Sequence, residues 1–265
     1  MTSWLDTCRL CVADIRGVLE QLPTRAEREP VLRRGEGGDE TTAIDQAAED
    51  TVVARLEARG EDFVLVSEEL GQRDFGAGGK VRVVVDPIDG SVNAKRGIPF
   101  FSFSLAVADG PTMGDVTFGY VYDFGTGEEW TATRGDGAFL GGRRVGDVRP
   151  KEPIEILSFE GTTASVIAER IGGVLALVGR VRVMGSLALS LCHLADGRVD
   201  AVCSLKPARS VDIAAAQLLV RECGLAIELF EEPPFEQAPL DLTMRSRVAA
   251  AGSPELVARL AAALR

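Results

Sequence analysis

Residues Val81 to Ser91 read VRVVVDPIDGS, an apolar, β-branched run that ends in two aspartates, a proline, a glycine and a hydroxyl. A buried strand of this kind delivers Asp86 and Asp89 to one edge of a sheet. Carboxylates crowded in this way repel each other unless a cation lies among them. Pro87 fixes φ and removes an N–H, so the chain turns sharply between the two acids. Gly90 can adopt backbone conformations that other residues avoid, and it lets a ligand approach the main chain closely. The N–H groups that follow are then free to face an anion. Divalent metal next to phosphate is the chemistry this stretch can support.

Other carboxylates fall at comparable places. The strand-like FVLV ends in Ser67-Glu68-Glu69, Asp212 stands at the start of a helical run that continues to Gly224, and Asp39 precedes Thr41, Thr42 and Asp45. Taken singly, each has a plain structural explanation. An aspartate before a helix caps it, glutamates after a strand are solvated, and Asp-Pro and Asp-Gly are turn chemistry. A Glu-Glu strand end, then an Asp-Pro-Ile-Asp-Gly-Ser strand end, then an aspartate at a helix start are improbable together by chance.

Periodicity gives the helices and strands that carry these acids. Leu5, Cys8, Val12, Ile15, Leu19 and Leu22 recur at three- and four-residue steps and predict a helix over residues 3–22, stopped by Pro23. Residues 24–41 are polar and charged and predict a mobile excursion. Thr42 can cap a helix over residues 43–58. Strands are predicted at 63–66 and 81–85. FFSFSLAV alternates as a half-buried strand does, and 116–122 and 128–133 continue a meander. After Pro150 the pattern becomes an alternation. Strands are expected at 154–158, 180–184, 199–203, 226–229 and 247–251, with helices at 163–178, 186–195, 212–223 and 254–264. The expected division is therefore 1–150, a helix pair on an antiparallel sheet, and 151–265, an α/β half.

Composition narrows the function. The chain has 265 residues, 46% of them hydrophobic, and a formal net charge of −11. An acidic chain is a poor binder of nucleic acid or of anionic membranes, and neither is expected as a partner. To act on a phosphate ester it must invert its field locally, as bound metals do. There is no apolar run of about 20 residues and no basic-plus-apolar leader, so the expected location is cytoplasmic. Five scattered cysteines do not form a disulfide framework, and Cys8 and Cys11 fall within an amphipathic helix as buried small side chains. His193 is the single histidine, embedded in an apolar run, which argues against triad catalysis.

With these residues in view, the chain resembles the inositol monophosphatase family of Mg²⁺-dependent, lithium-sensitive phosphatases. The resemblance rests on SEE (67–69), DPIDGS (86–91), GSLALSLCHLADGRVDAV (185–202) and SVDIAAAQLLVRECG (210–224), together with the spacing of Asp39, Asp45 and Glu49. It is nearest to the branch that hydrolyses both inositol phosphate and fructose 1,6-bisphosphate. It implies an αβαβα layered sandwich, an α+β first half followed by an α/β half, and a homodimer. By the same resemblance Glu68, Asp86, the Ile88 carbonyl, Asp89 and Asp212 hold two Mg²⁺ ions. Asp39 and Ser91 position the attacking water, helped by Glu69 and a third metal, and Gly90 and Ser91 hold phosphate oxygens. Asp89, Ser186, Leu187, Lys206, Arg209 and Arg182 are expected at the substrate.

The chain also departs from the animal enzymes of that family. Ser67 replaces a glycine, Ser91 a threonine and Val211 a tryptophan. Leu205 replaces a glutamate that binds inositol hydroxyls, which weakens inositol phosphate as the sole substrate. The cations Lys206, Arg209, Arg180 and Arg182 suggest a second phosphate or acidic group on the substrate. Alternatives are histidinol phosphate, 3′-phosphoadenosine phosphate or NADP as substrate, or a non-catalytic metal-binding regulator.

Overall fold

The computed structural model describes residues 2–160, 163–231 and 233–265. Helix α1 (Trp4–Gln21) opens at Ser3, whose hydroxyl accepts the Asp6 N–H, and buries Cys8, Cys11, Val12 and Ile15 along one stripe. The short helix α2 (Arg25–Arg28) follows, then a hairpin of β1 (Val31–Arg34) and β2 (Glu40–Thr42). Residues 24–41 are therefore structured, contrary to the excursion expected from their charge. Their polar groups have partners: Arg28 donates to the carbonyls of Leu19 and Ala94, and the N–H groups of Glu36 and Gly37 bond the carbonyls of Glu69 and Glu68. Helix α3 (Ala43–Glu57) starts with a Thr42–Asp45 capping box.

The first sheet is built from β3 (Phe63–Ser67), β4 (Gly71–Phe75), β5 (Arg82–Asp89), β6 (Ser102–Ala108), β7 (Val116–Asp123), β8 (Glu129–Thr133), β9 (Gly137–Leu140) and β10 (Arg143–Arg144), with the short helix α4 (Ser91–Arg96) after β5. Its eight strands run in the order β10-β9-β8-β7-β6-β5-β3-β4. β3 and β5 are parallel and the other neighbours antiparallel.

The second sheet takes β11 (Ile154–Glu160), β12 (Val178–Arg182), β13 (Ala201–Ser204), β14 (Ala226–Leu229) and β15 (Val248–Ala251) in the order β12-β11-β13-β15-β14. It is parallel on the β12 side and antiparallel on the β14 side. Between these strands come α5 (Ala164–Val174), α6 (Leu187–Ala195) and α7 (Ser210–Glu222), and α8 (Pro254–Leu264) closes the chain.

Period-two alternation sorts the side chains into layers. Val83, Val85, Phe103 and Leu105 face α1 and α3, in a cluster with Cys8, Ile15, Ile44 and Val52. Val84, Ala106 and Val121 face the other way, onto α6 and α7, whose far side meets Val202 and Ala250 of the second sheet. Leu157, Phe159 and Ala249 face α5 and α8. The result is an αβαβα sandwich. Two layers of packing cover both faces of β6, so every residue of that strand is buried where half-burial was expected. At Gly119 on β7 a Cβ would come within 2.5 Å of the Ala215 carbonyl oxygen, so glycine there lets α7 lie directly on the sheet. The central helices α6 and α7 follow residue 150 in the chain yet cover the sheet formed before it.

The five cysteines are buried and free. His193 packs edge-on against Phe100 and beside Trp130, a structural setting. Among the described residues no helix is long and apolar enough to cross a membrane.

Candidate active site

The parallel pair β3–β5 sets the site. Ser67 is in register with Val85, so Glu68, just past the end of β3, and Asp86, still paired with Ser104 of β6, stand at the same level. β5 then departs from its partner's register between Asp86 and Asp89, a local irregularity at Pro87-Ile88 that re-aims the chain. The Ile88 N–H donates to Asp86 Oδ1 at 3.0 Å. Gly90 adopts φ +93°, and a Cβ there would stand 3.0 Å from the Gly185 carbonyl oxygen, so both conformation and space require glycine.

The third contribution comes from α7. Asp212 lies in its first turn, and its Oδ2 accepts the Arg209 N–H at 2.6 Å. Carboxylate oxygens of Glu68, Asp86 and Asp212 lie within 4.8 Å of one another. Asp89 is held beside them: its Oδ2 accepts from the Ser186 hydroxyl and from the Ala188 N–H at 2.9 Å. A cleft of about 450 Å³ is lined by Asp39, Asp45, Glu68, Glu69, Asp86, Ile88, Asp89, Gly90, Ser91, Lys95, Lys206, Arg209 and Asp212, among others.

The electrostatics are those of a cation site. Burial, then repulsion from Asp212 and Glu69, pushes the Glu68 carboxyl up, while Arg209 opposes the rise. Asp86 is raised by burial and by Glu68, Asp89 and Asp212. Asp89 is raised by burial and by Asp212 against the hydrogen bond from Ser186. Buried carboxylates that destabilise one another's charge are relieved by a bound cation. The all-oxygen donors of Glu68, Asp86 and Asp212 fit a hard ion such as Mg²⁺. A second acidic group, Asp123, Glu128 and His193, has another explanation. Arg198 pairs with Glu128 at 2.6 Å, and Asp123 accepts the Gly125 and Thr126 N–H groups in a turn.

Most residues singled out from the sequence line this one cleft. Asp39, expected to position water, is half-exposed and engaged by Arg209 at 3.2 Å and Lys206 at 3.6 Å. Asp45 is buried at the same cleft, and its Oδ1 has no hydrogen-bond partner among the described residues. Arg182 lies exposed on the edge strand β12, donates to the Val181 carbonyl and does not line the cleft. Leu205 is buried in the outer cluster with Phe159 and Phe230.

Arg209 also sits differently from expectation, paired with Glu68, Asp39 and Asp212. Leu187 lines a small adjoining recess with Lys206, Arg209 and Arg245.

Sequence reasoning missed Glu160 and Arg245. Glu160 is fully buried and accepts the Gly185 N–H at 2.7 Å and the Ser158 and Ser190 hydroxyls, which fixes the turn that receives Asp89. A lone glutamate ending the apolar ILSFE run was the available signal. Arg245 gave none, because it reaches the site from a loop distant in sequence.

Comparison with known proteins agrees with this geometry. The model of the inositol monophosphatase family matches residues 11–265. The chain is 34% identical over 236 residues to a fructose-1,6-bisphosphatase/inositol-1-monophosphatase of Methanothermobacter thermautotrophicus, covering 85% of this chain and 84% of that one. It is 36% identical over 221 residues to the protein of the same name from Thermococcus kodakarensis, covering 83% and 81%. A crystal structure described as an inositol monophosphatase-fructose 1,6-bisphosphatase superposes with a TM-score of 0.84 at 29% identity, covering 99% of this chain and all of that one.

Proposed function

Since the chain belongs to the inositol monophosphatase family, and is on that ground a phosphatase, we propose that it is a Mg²⁺-dependent phosphomonoesterase that hydrolyses inositol 1-phosphate, fructose 1,6-bisphosphate or both. The observation that carries this reading is the meeting of Glu68, Asp86 and Asp212 oxygens within 4.8 Å, from three separate elements, next to Asp89 and the glycine turn at Gly90.

In this reading Glu68, Asp86, the Ile88 carbonyl, Asp89 and Asp212 hold two Mg²⁺ ions, and Glu69 contributes to a third. Bound Mg²⁺ supplies a water of lowered pKa and neutralises charge on the phosphoryl and leaving oxygens. The Gly90 and Ser91 N–H groups orient the phosphate oxygens. Asp45, whose Oδ1 has no hydrogen-bond partner among the described residues, and the Ser91 hydroxyl hold the attacking water in line, so Asp45 takes the role first given to Asp39. Hydrolysis is direct and has no phospho-enzyme. Lys206 and the recess beside it accept the rest of the substrate, with Ser186 supporting Asp89.

Five buried free thiols suit a reducing cytoplasm. The homodimer implied by the resemblance is part of this reading; exposed Leu175 and Val183 beside the edge strand β12 are compatible with an apolar contact there, and light scattering tests it.

The deciding experiment is phosphate release from about a dozen phosphomonoesters, with and without Mg²⁺. Metal-dependent release from fructose 1,6-bisphosphate or inositol 1-phosphate supports the proposal. Release confined to histidinol phosphate or a 3′-nucleotide keeps the chemistry and replaces the substrate. No release from any ester with Mg²⁺ present refutes it.

A further inference from the structure

The guanidinium of Arg209 lies among the carboxylates assigned above to metal. Nη1 stands 2.7 Å from Glu68 Oε1 and 3.2 Å from Asp39 Oδ2, and Nη2 stands 3.2 Å from Asp212 Oδ1. Its side chain is only 10% exposed. The β1–β2 hairpin leaves room for it: a Cβ on Gly37 would come within 2.8 Å of Nη1 and 2.9 Å of the Glu68 carbonyl oxygen. The hairpin is itself fastened, because Arg245 donates to the Gly37 carbonyl and the Gly37 N–H to that of Glu68. Arg209 therefore occupies a built position, with carboxylates on three sides.

A guanidinium and a divalent cation cannot both take the same oxygens, and at this depth two positive charges repel strongly. We propose that Arg209 is an internal counter-ion that competes with metal for Glu68 and Asp212, and that metal loading releases its guanidinium toward the anion-binding side of the cleft. Lys206 and Arg245 line the recess on that side. Metal affinity is then set partly by an arginine of the chain, and metal binding is coupled to anion binding through one side chain. The inference rests on the metal-binding reading of the site and goes beyond it.

The test compares wild type, Arg209→Gln and Arg209→Lys as full-length protein stripped with EDTA. Mg²⁺ binding is measured by calorimetry and thermal melting is followed with and without saturating Mg²⁺. Removing the guanidinium leaves the carboxylates mutually repelling, so Arg209→Gln melts lower than wild type in EDTA. The deficit closes in Mg²⁺, and the Mg²⁺ Kd tightens by about tenfold. Arg209→Lys falls between, because one ammonium cannot bridge three carboxylates. An equal melting deficit with and without Mg²⁺, together with an unchanged or weaker Kd, overturns the proposal. Should Arg209→Gln not fold, the Arg209→Lys Kd decides by the same criterion. Wild type that binds no Mg²⁺ at all overturns the metal site itself, a separate outcome.

Discussion

The hydroxyl of Ser186 donates to Oδ2 of Asp89, across 97 residues of sequence. Ser186 is the N-cap of α6 and also accepts the Leu189 N–H at 3.2 Å. One side chain thus starts a helix of the second half and fixes a carboxylate delivered by the first. Ser186→Ala should cost about 1–2 kcal/mol of stability in urea melts. It should also weaken Mg²⁺ binding measured by calorimetry, which the loss of a helix cap alone would leave unchanged.

Asp89→Asn and Asp212→Asn should each lower kcat by roughly two to three orders of magnitude. Circular dichroism should show the fold intact, since relieving carboxylate repulsion does not open the core. Full phosphate release by either variant would remove these residues from the chemistry.

Glu49 provides a pH readout outside the metal ligands. It is buried on α3, accepts the Ser67 hydroxyl at 2.7 Å, and burial pushes its carboxyl up to about 7. A folded-state pKa above the unfolded value contributes stability at low pH that is lost as pH rises through the folded value. Stability attributable to Glu49 should therefore fall between about pH 4.5 and about pH 7. Glu49→Gln should gain about 1–3 kcal/mol over wild type at pH 8 relative to their difference at pH 4. Parallel stability–pH curves for the two proteins would sink this.

Leu205 and Lys206 are neighbours with different consequences. Leu205 is buried in the outer cluster, so Leu205→Ala should cost about 2–4 kcal/mol and leave KM nearly unchanged. Lys206 lines the cleft, so Lys206→Met should raise KM for fructose 1,6-bisphosphate by about tenfold, and by less for inositol 1-phosphate. Equal KM changes for the two substrates would count against a second anion contact at Lys206.

Much of the fold was legible in the chain. Cys8, Val12 and Ile15 announced α1 by their spacing, and the alternation from Phe101 to Val107 announced β6 by its period. The acidic strand ends were legible too, because a β-branched run that stops at Asp-Pro-Ile-Asp-Gly-Ser has few other uses. The order of residues 24–41 was not. Its strands are held by hydrogen bonds from Arg28, Glu36 and Gly37 to distant partners, and a charged segment reads the same whether or not such partners exist. Asp45 was visible only as part of a spacing, and the burial of its side chain at the cleft depends on what packs around α3.

Most of the long helices and central strands, and the carboxylates that end them, could be read from the chain, because periodicity and turn chemistry act over a few residues. Tertiary structure alone decided that β3 runs parallel to β5, which puts Glu68 and Asp86 level, and that α7 lies on the same sheet to bring Asp212 to them. It also decided that Arg182 faces away and that Arg209 enters the acidic cluster. Those outcomes depend on strand register and layer packing between residues far apart in sequence, where local preference carries no information.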